Sequence, residues 1–149
     1  MDLAVSLKFE VWILKFLNLG PSVVNLVRLF QRQRGDPART EFDEIKRLLR
    51  CLKSSPAQTR SGVGAGICLA NSDFVRRFAG LQTFRHISTP DRQRFCSDLS
   101  DLELSLRNEE PGMALGVGLY RIWLTEAVAG RHEAAELLGK ELTELSRNG

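Results

Sequence analysis

The sequence predicts an all-α fold, a compact multi-helix domain of seven to eight short helices. Three observations lead there. Apolar residues recur at three- and four-residue spacing in nearly every segment. Helix-stopping and helix-starting residues, chiefly Gly, Pro, Ser and Thr, stand between those segments. Alternation of period two over strand length occurs only at Leu3-Val5-Leu7-Phe9, and this stretch is assigned to a helix.

The elements follow in order. A first helix is expected over about Asp2–Asn18, with Leu3, Leu7, Trp12, Ile13, Phe16 and Leu17 as its apolar side; Gly20-Pro21 ends it and opens the next. A second runs over about Ser22–Arg34. After the Gly35-Asp36-Pro37 turn, Thr40 and Asp43 read as a near capping box for a third, with Phe42, Ile45, Leu48, Leu49 and Leu52 on one stripe. Ser55-Pro56 opens a fourth, which carries Gly62, Gly64 and Gly66. Ser72 reads as the cap of a separate fifth helix containing Phe74 to Leu81. Thr89-Pro90-Asp91 starts a sixth with Phe95, Leu99, Leu102 and Leu106. The turn at Asn108 to Gly112 leads to a seventh, Met113–Ala129, and Arg131–Ser146 forms the eighth.

With 149 residues, 43% hydrophobic and 26% charged, the chain suits a single domain, with two sub-bundles over about 1–83 and 89–149. A weak echo supports a repeated helical hairpin. Phe42, Ile45, Leu49, Leu52 and Pro56 precede Gly62-Val63-Gly64, and Phe95, Leu99, Leu102, Leu106 and Pro111 precede Gly116-Val117-Gly118.

Net charge is +3, unevenly spread. Residues 1–60 hold 11 Lys/Arg against 6 Asp/Glu (net +5), residues 61–97 hold 5 against 2 (net +3), and residues 98–149 hold 5 against 10 (net −5). A basic front and an acidic back suit head-to-tail association or a negative surface. Lys8, Glu10 and Lys15 interrupt the apolar N-terminal run, so it reads as a core helix and neither a membrane span nor a signal peptide. Cys51, Cys68 and Cys96 match no disulfide or zinc spacing and read as buried free thiols in a reducing compartment.

Catalytic chemistry finds no foothold. The Gly62–Gly66 run lacks the Lys and the Ser or Thr of a phosphate loop, so its glycines are expected to let two helices approach closely. His86 and His132 have no partners that complete a metal site or a triad, and no metal or cofactor is expected. Asp98, Asp101 and Glu103 read as a solvated face. The chain is therefore expected not to be an enzyme and to have no small-molecule substrate. What remains is basic surface. Arg76 and Arg77 beside Phe74 and Phe78, followed by Arg85, Arg92 and Arg94, are the first candidates for an acidic partner. Lys46, Arg50 and Lys53 are the second, because spacings of four and three place them on one helix face.

The order of motifs resembles the N-terminal domain of orthomyxovirus matrix proteins, of influenza-like or thogotovirus-like kind. The likeness begins at Glu10-Val11-Trp12-Ile13-Leu14 and passes through Gly20-Pro21. It continues from Phe42-Asp43 to Leu52-Lys53 and into Gly62-Val63-Gly64-Ala65-Gly66-Ile67-Cys68-Leu69. Arg76-Arg77-Phe78 resembles the family's basic stretch, and Met113 to Trp123 its late apolar helix. The family's basic helix falls near Arg92 and Arg94, where only two arginines stand. The resemblance implies a viral structural protein that self-assembles beneath the envelope, on the inner face of the virion membrane. It also implies contact with anionic membrane and with viral ribonucleoprotein or RNA, a location in host cytoplasm and nucleus before assembly, and a longer natural chain. From the residues alone the alternative is a cellular helical adaptor that grips a partner helix in an apolar groove.

Overall fold

The computed structural model describes residues 38–147, and side chains from Phe42 onward apart from Glu44. Every regular element among the described residues is an α-helix, and there are six. The helices expected at Asp2–Asn18 and Ser22–Arg34 lie outside the described residues. The chain divides after Ala57 into two compact units. The turn near 83–89, where a boundary between sub-bundles was expected, falls within the second unit.

In the first unit, α1 spans Ala38–Lys53. It begins two residues before Thr40, the expected cap. Ile45, Leu48, Leu49 and Leu52 are buried along one stripe, and Lys46, Arg47, Arg50 and Lys53 are exposed. Ser54 and Ser55 close the helix: their amides donate to the carbonyls of Arg50 (3.2 Å) and Leu52 (3.1 Å). The Ser55 hydroxyl donates to the Cys51 carbonyl at 2.7 Å. Pro56, which lacks an amide proton, prevents continuation.

The second unit holds α2 (Ala57–Phe78, its first residue at the boundary), α3 (Leu81–His86), α4 (Thr89–Leu106), α5 (Pro111–Val128) and α6 (His132–Ser146). The fourth and fifth expected helices are one. Ser72 is an exposed residue inside α2, not a cap. The reason is legible in the apolar stripe Val63, Ile67, Ala70, Phe74, Phe78, whose steps of four, three, four and four run through Ser72 without a break. The six-residue α3 was not expected. Ser88 caps α4 by accepting from the Asp91 amide at 3.3 Å, with Pro90 in the first turn.

At the centre of this unit lies α5. Seven consecutive residues, Ala114 to Tyr120, are buried, as expected for a helix that is apolar all round. Helices α4 and α6 pack on it. Helix α2 crosses it at glycines. A Cβ on Gly66 would stand 2.0 Å from the Met113 carbonyl oxygen, and one on Gly116 would stand 2.1 Å from that of Val63. Gly62 faces Gly112 one turn away. The close approach expected of the Gly62–Gly66 run is thus realised, and its counterpart is the second half of the sequence echo.

An aromatic cluster fills one end. Phe74 meets Phe78, Phe84, Phe95, Tyr120 and Trp123 at ring-centroid distances of 5.5 to 6.4 Å, mostly edge to face. The Tyr120 hydroxyl donates to Asn71 Oδ1 at 2.8 Å. Burial pushes its ionisation above the ordinary tyrosine range.

Candidate anionic-partner surface

Helical spacing turns Phe74 and Phe78 inward and the intervening Arg76 and Arg77 outward. Neither arginine is idle. Arg76 pairs with Asp73 one turn earlier on α2, although its side chain remains 74% exposed. Arg77 donates from Nη1 to Asp98 Oδ2 of α4 at 2.8 Å and lies 3.4 Å from Asp73 through Nε. Its guanidinium stacks 5.1 Å from the Phe95 ring centroid. The hydrogen bond to Asp98 raises its pKa above the ordinary arginine value, with desolvation opposing and the Asp73 and Asp98 charges reinforcing. Two cations and two carboxylates thus form a neutral row along α2 and α4.

Arg85 and Arg92 serve helix ends. Arg85 Nη2 donates to the Ala127 carbonyl at 2.9 Å, at the C-terminus of α5. Arg92 Nη1 donates to the Arg85 carbonyl at 2.8 Å, at the end of α3, and its Nη2 donates to Thr89 Oγ1 at 3.0 Å. A cation at a helix C-terminus meets unsatisfied carbonyls and the negative end of the dipole. Arg94 is different: it is exposed, and its guanidinium makes no hydrogen bond or ion pair with a described residue. It stands one turn before Asp98 on α4, so it extends the row as a cation not offset within it.

In the first unit, Lys46 pairs with Asp43 at 3.3 Å and lies 4.5 Å from the Phe42 ring centroid. Arg50 and Lys53 are exposed in the last turn of α1.

Glu103 overturns the expectation of a solvated acidic face. It is 7% exposed and accepts from Arg121 Nη2 at 3.1 Å. Its carboxylate rests on α5 where Gly118 leaves room; a Cβ there would stand 2.8 Å from Glu103 Oε1. Arg107, whose charge Glu103 supports while burial and Arg121 oppose it, has its pKa drawn down, burial being the largest cause. Glu126, also buried, is held by Arg131 across the α5–α6 turn through two guanidinium nitrogens. The cysteines are free thiols; Cys68 is exposed, contrary to expectation, while Cys51 and Cys96 are half-buried. Exposed His86 is within 2.9 Å of Gln82. Among the described residues no group of three or more His, Cys, Asp or Glu is placed to hold a metal, and no helix is long and apolar enough to cross a membrane.

Comparison with protein-family models, with curated proteins and with solved structures returns no match.

The sequence signal for the pairing of Arg76 and Arg77 was present. Asp73 precedes them by three and four residues, the spacing of helical ion pairs. The signal for Glu103 was weaker: it lies beside Leu102 and Leu99 on the inward arc of α4.

Proposed function

We propose that this chain is the helical N-terminal domain of a viral matrix protein, a non-enzymatic structural unit that self-associates and rests on an anionic surface. The motif order described above supports the family, and the all-helical second unit is compatible with it. The observation that carries the anionic-surface part is the position of Arg94 with Arg76. Both are exposed on neighbouring helices joined by the Arg77–Asp98 bond, Arg76 in the last turn of α2 and Arg94 in the second turn of α4. An exposed pair such as Arg76–Asp73 is worth ~1 kcal/mol or less, so a phosphate can take over the guanidinium.

The test is sedimentation with phosphatidylserine-containing and neutral vesicles across salt, with wild type and an Arg76→Ala/Arg94→Ala double variant. At about 1 kcal/mol per cation near a charged leaflet, the double variant binds anionic vesicles at least about tenfold more weakly. Absence of binding by wild type at low salt removes the membrane from the proposal. Salt-dependent capture of RNA in its place assigns the surface to ribonucleoprotein.

The adaptor reading draws on a separate observation. Leu69 and Val75 of α2 are 39% and 51% exposed, which suits an apolar partner. A Leu69→Ser/Val75→Ser variant that loses self-association while keeping vesicle binding assigns these residues to contact between copies. Loss of neither property favours the adaptor.

A further inference from the structure

The chain contains two hydroxyl residues followed directly by proline, Ser55-Pro56 and Thr89-Pro90. The fold treats them oppositely. Ser55 is 7% exposed and its hydroxyl is engaged with the Cys51 carbonyl. Ser88, Thr89, Pro90 and Asp91 are all exposed, and Ser88 has extended backbone (φ −61°, ψ 149°). Thr89 Oγ1 already receives a hydrogen bond from Arg92 Nη2 at 3.0 Å. The same guanidinium is held from its other nitrogen by the Arg85 carbonyl at 2.8 Å, so its planar fork is fixed in place beside the hydroxyl.

We propose that Thr89 is a phosphorylation site for a proline-directed protein kinase and that Arg92 pairs with the resulting phosphate. Thr89 Oγ1 attacks the γ-phosphorus of a nucleoside triphosphate held by the kinase. The new oxygen–phosphorus bond forms as the bond to the β–γ bridging oxygen breaks. Nucleoside diphosphate leaves, and the hydroxyl proton passes to the base of the kinase. The product carries about −1.5 to −2 charge and three acceptor oxygens where a fixed arginine already points. An arginine fork suits a phosphate because two of its N–H groups can donate in parallel.

A consequence rests on the anionic-surface reading, whereas the site assignment does not. A phosphate beside Arg92 opposes the positive field around Arg94, two residues on, so the phosphorylated chain binds anionic vesicles about tenfold more weakly.

The test treats the full chain with a proline-directed kinase and ATP–magnesium, then maps phosphate by peptide mass spectrometry. Phosphate is expected at Thr89 and not at Ser55, with at least about tenfold less in a Pro90→Ala variant. No incorporation at Thr89, preference for Ser55, or equal incorporation in Pro90→Ala overturns the site. Phosphorus NMR titration then reads the pairing. The second ionisation of the phosphate is expected about one unit lower in the folded chain than in an Arg92→Gln variant and in a phosphorylated peptide spanning residues 82–97. A value equal to that of the peptide overturns the role of Arg92, even where the variant folds poorly. In the vesicle assay, equal binding by both forms overturns the consequence. No binding by either form counts against the surface reading alone, because mapping and titration use no vesicles.

Discussion

The arginines that look alike in the sequence do different work. Arg85 supplies a donor to a carbonyl at the end of α5, whereas the exposed Arg94 guanidinium makes no hydrogen bond or ion pair with a described residue. Arg85→Ala is therefore expected to cost about 1–2 kcal/mol in urea unfolding, and Arg94→Ala to stay within about 0.5 kcal/mol of wild type. Among these charged residues, Glu103 is the one whose loss should be felt most. Removing its carboxylate strands the partly buried Arg121, and Glu103→Ala should lower stability by about 3 kcal/mol in the same assay. Ala79 points the other way. It follows the last residue of α2 with φ 59° and donates to the Val75 carbonyl at 3.0 Å, the left-handed helix end that glycine adopts without a Cβ clash. Ala79→Gly is expected to raise stability by up to about 1 kcal/mol, read as a higher melting temperature.

Between elements, the decisive contact is the crossing of α2 and α5. Its geometry separates two glycines that composition cannot distinguish. A methyl on Gly66 meets the backbone of α5 at 2.0 Å, and backbone cannot swing aside as a side chain can. Gly66→Ala should cost about 3 kcal/mol or more. A methyl on Gly62 meets Gly112 at 3.5 Å, an ordinary contact, and helix propensity favours alanine by about 1 kcal/mol. Gly62→Ala is therefore expected to be neutral or stabilising by thermal melting. The merging of the expected fourth and fifth helices belongs here as well. Asn71-Ser72-Asp73 carries a cap signal, but the buried stripe on either side is in phase, and burial of Phe74 against five other rings outweighs a local preference.

Across the molecule, the second unit carries its own apolar centre, the α2–α5 crossing and the aromatic cluster. A fragment of residues 55–149 is expected to be helical and to unfold cooperatively by circular dichroism. Its stability should fall in alkali. Tyr120 keeps its proton in the folded state beyond its ordinary range, whereas the unfolded chain ionises near pH 10. Above that pH the unfolded state holds fewer protons, so the contribution present below about pH 10 is lost as pH rises. Burial raises the Cys96 thiol too, and adds a loss of the same sign from lower pH, against the partly opposing charges of Arg121 and Arg92. Tyr120→Phe should flatten the alkaline decline in a pH series of urea unfolding curves.

The all-helical class, the start of α4 at Thr89-Pro90-Asp91, the inward stripes and the purpose of the small residues were all readable from the chain. Each depends on neighbours within one or two turns, where period, cap and propensity act. The fates of the charges were not readable. Whether Arg77 reaches Asp98, whether Arg85 reaches Ala127 and whether Glu103 is buried against Arg121 depend on contacts 21, 42 and 18 residues away. Such distances close only when α2 packs with α4, α3 with α5, and α4 with α5. A long polar side chain has no period that announces its partner, so the assembled helices alone separate the cations that hold the fold from those that face outward.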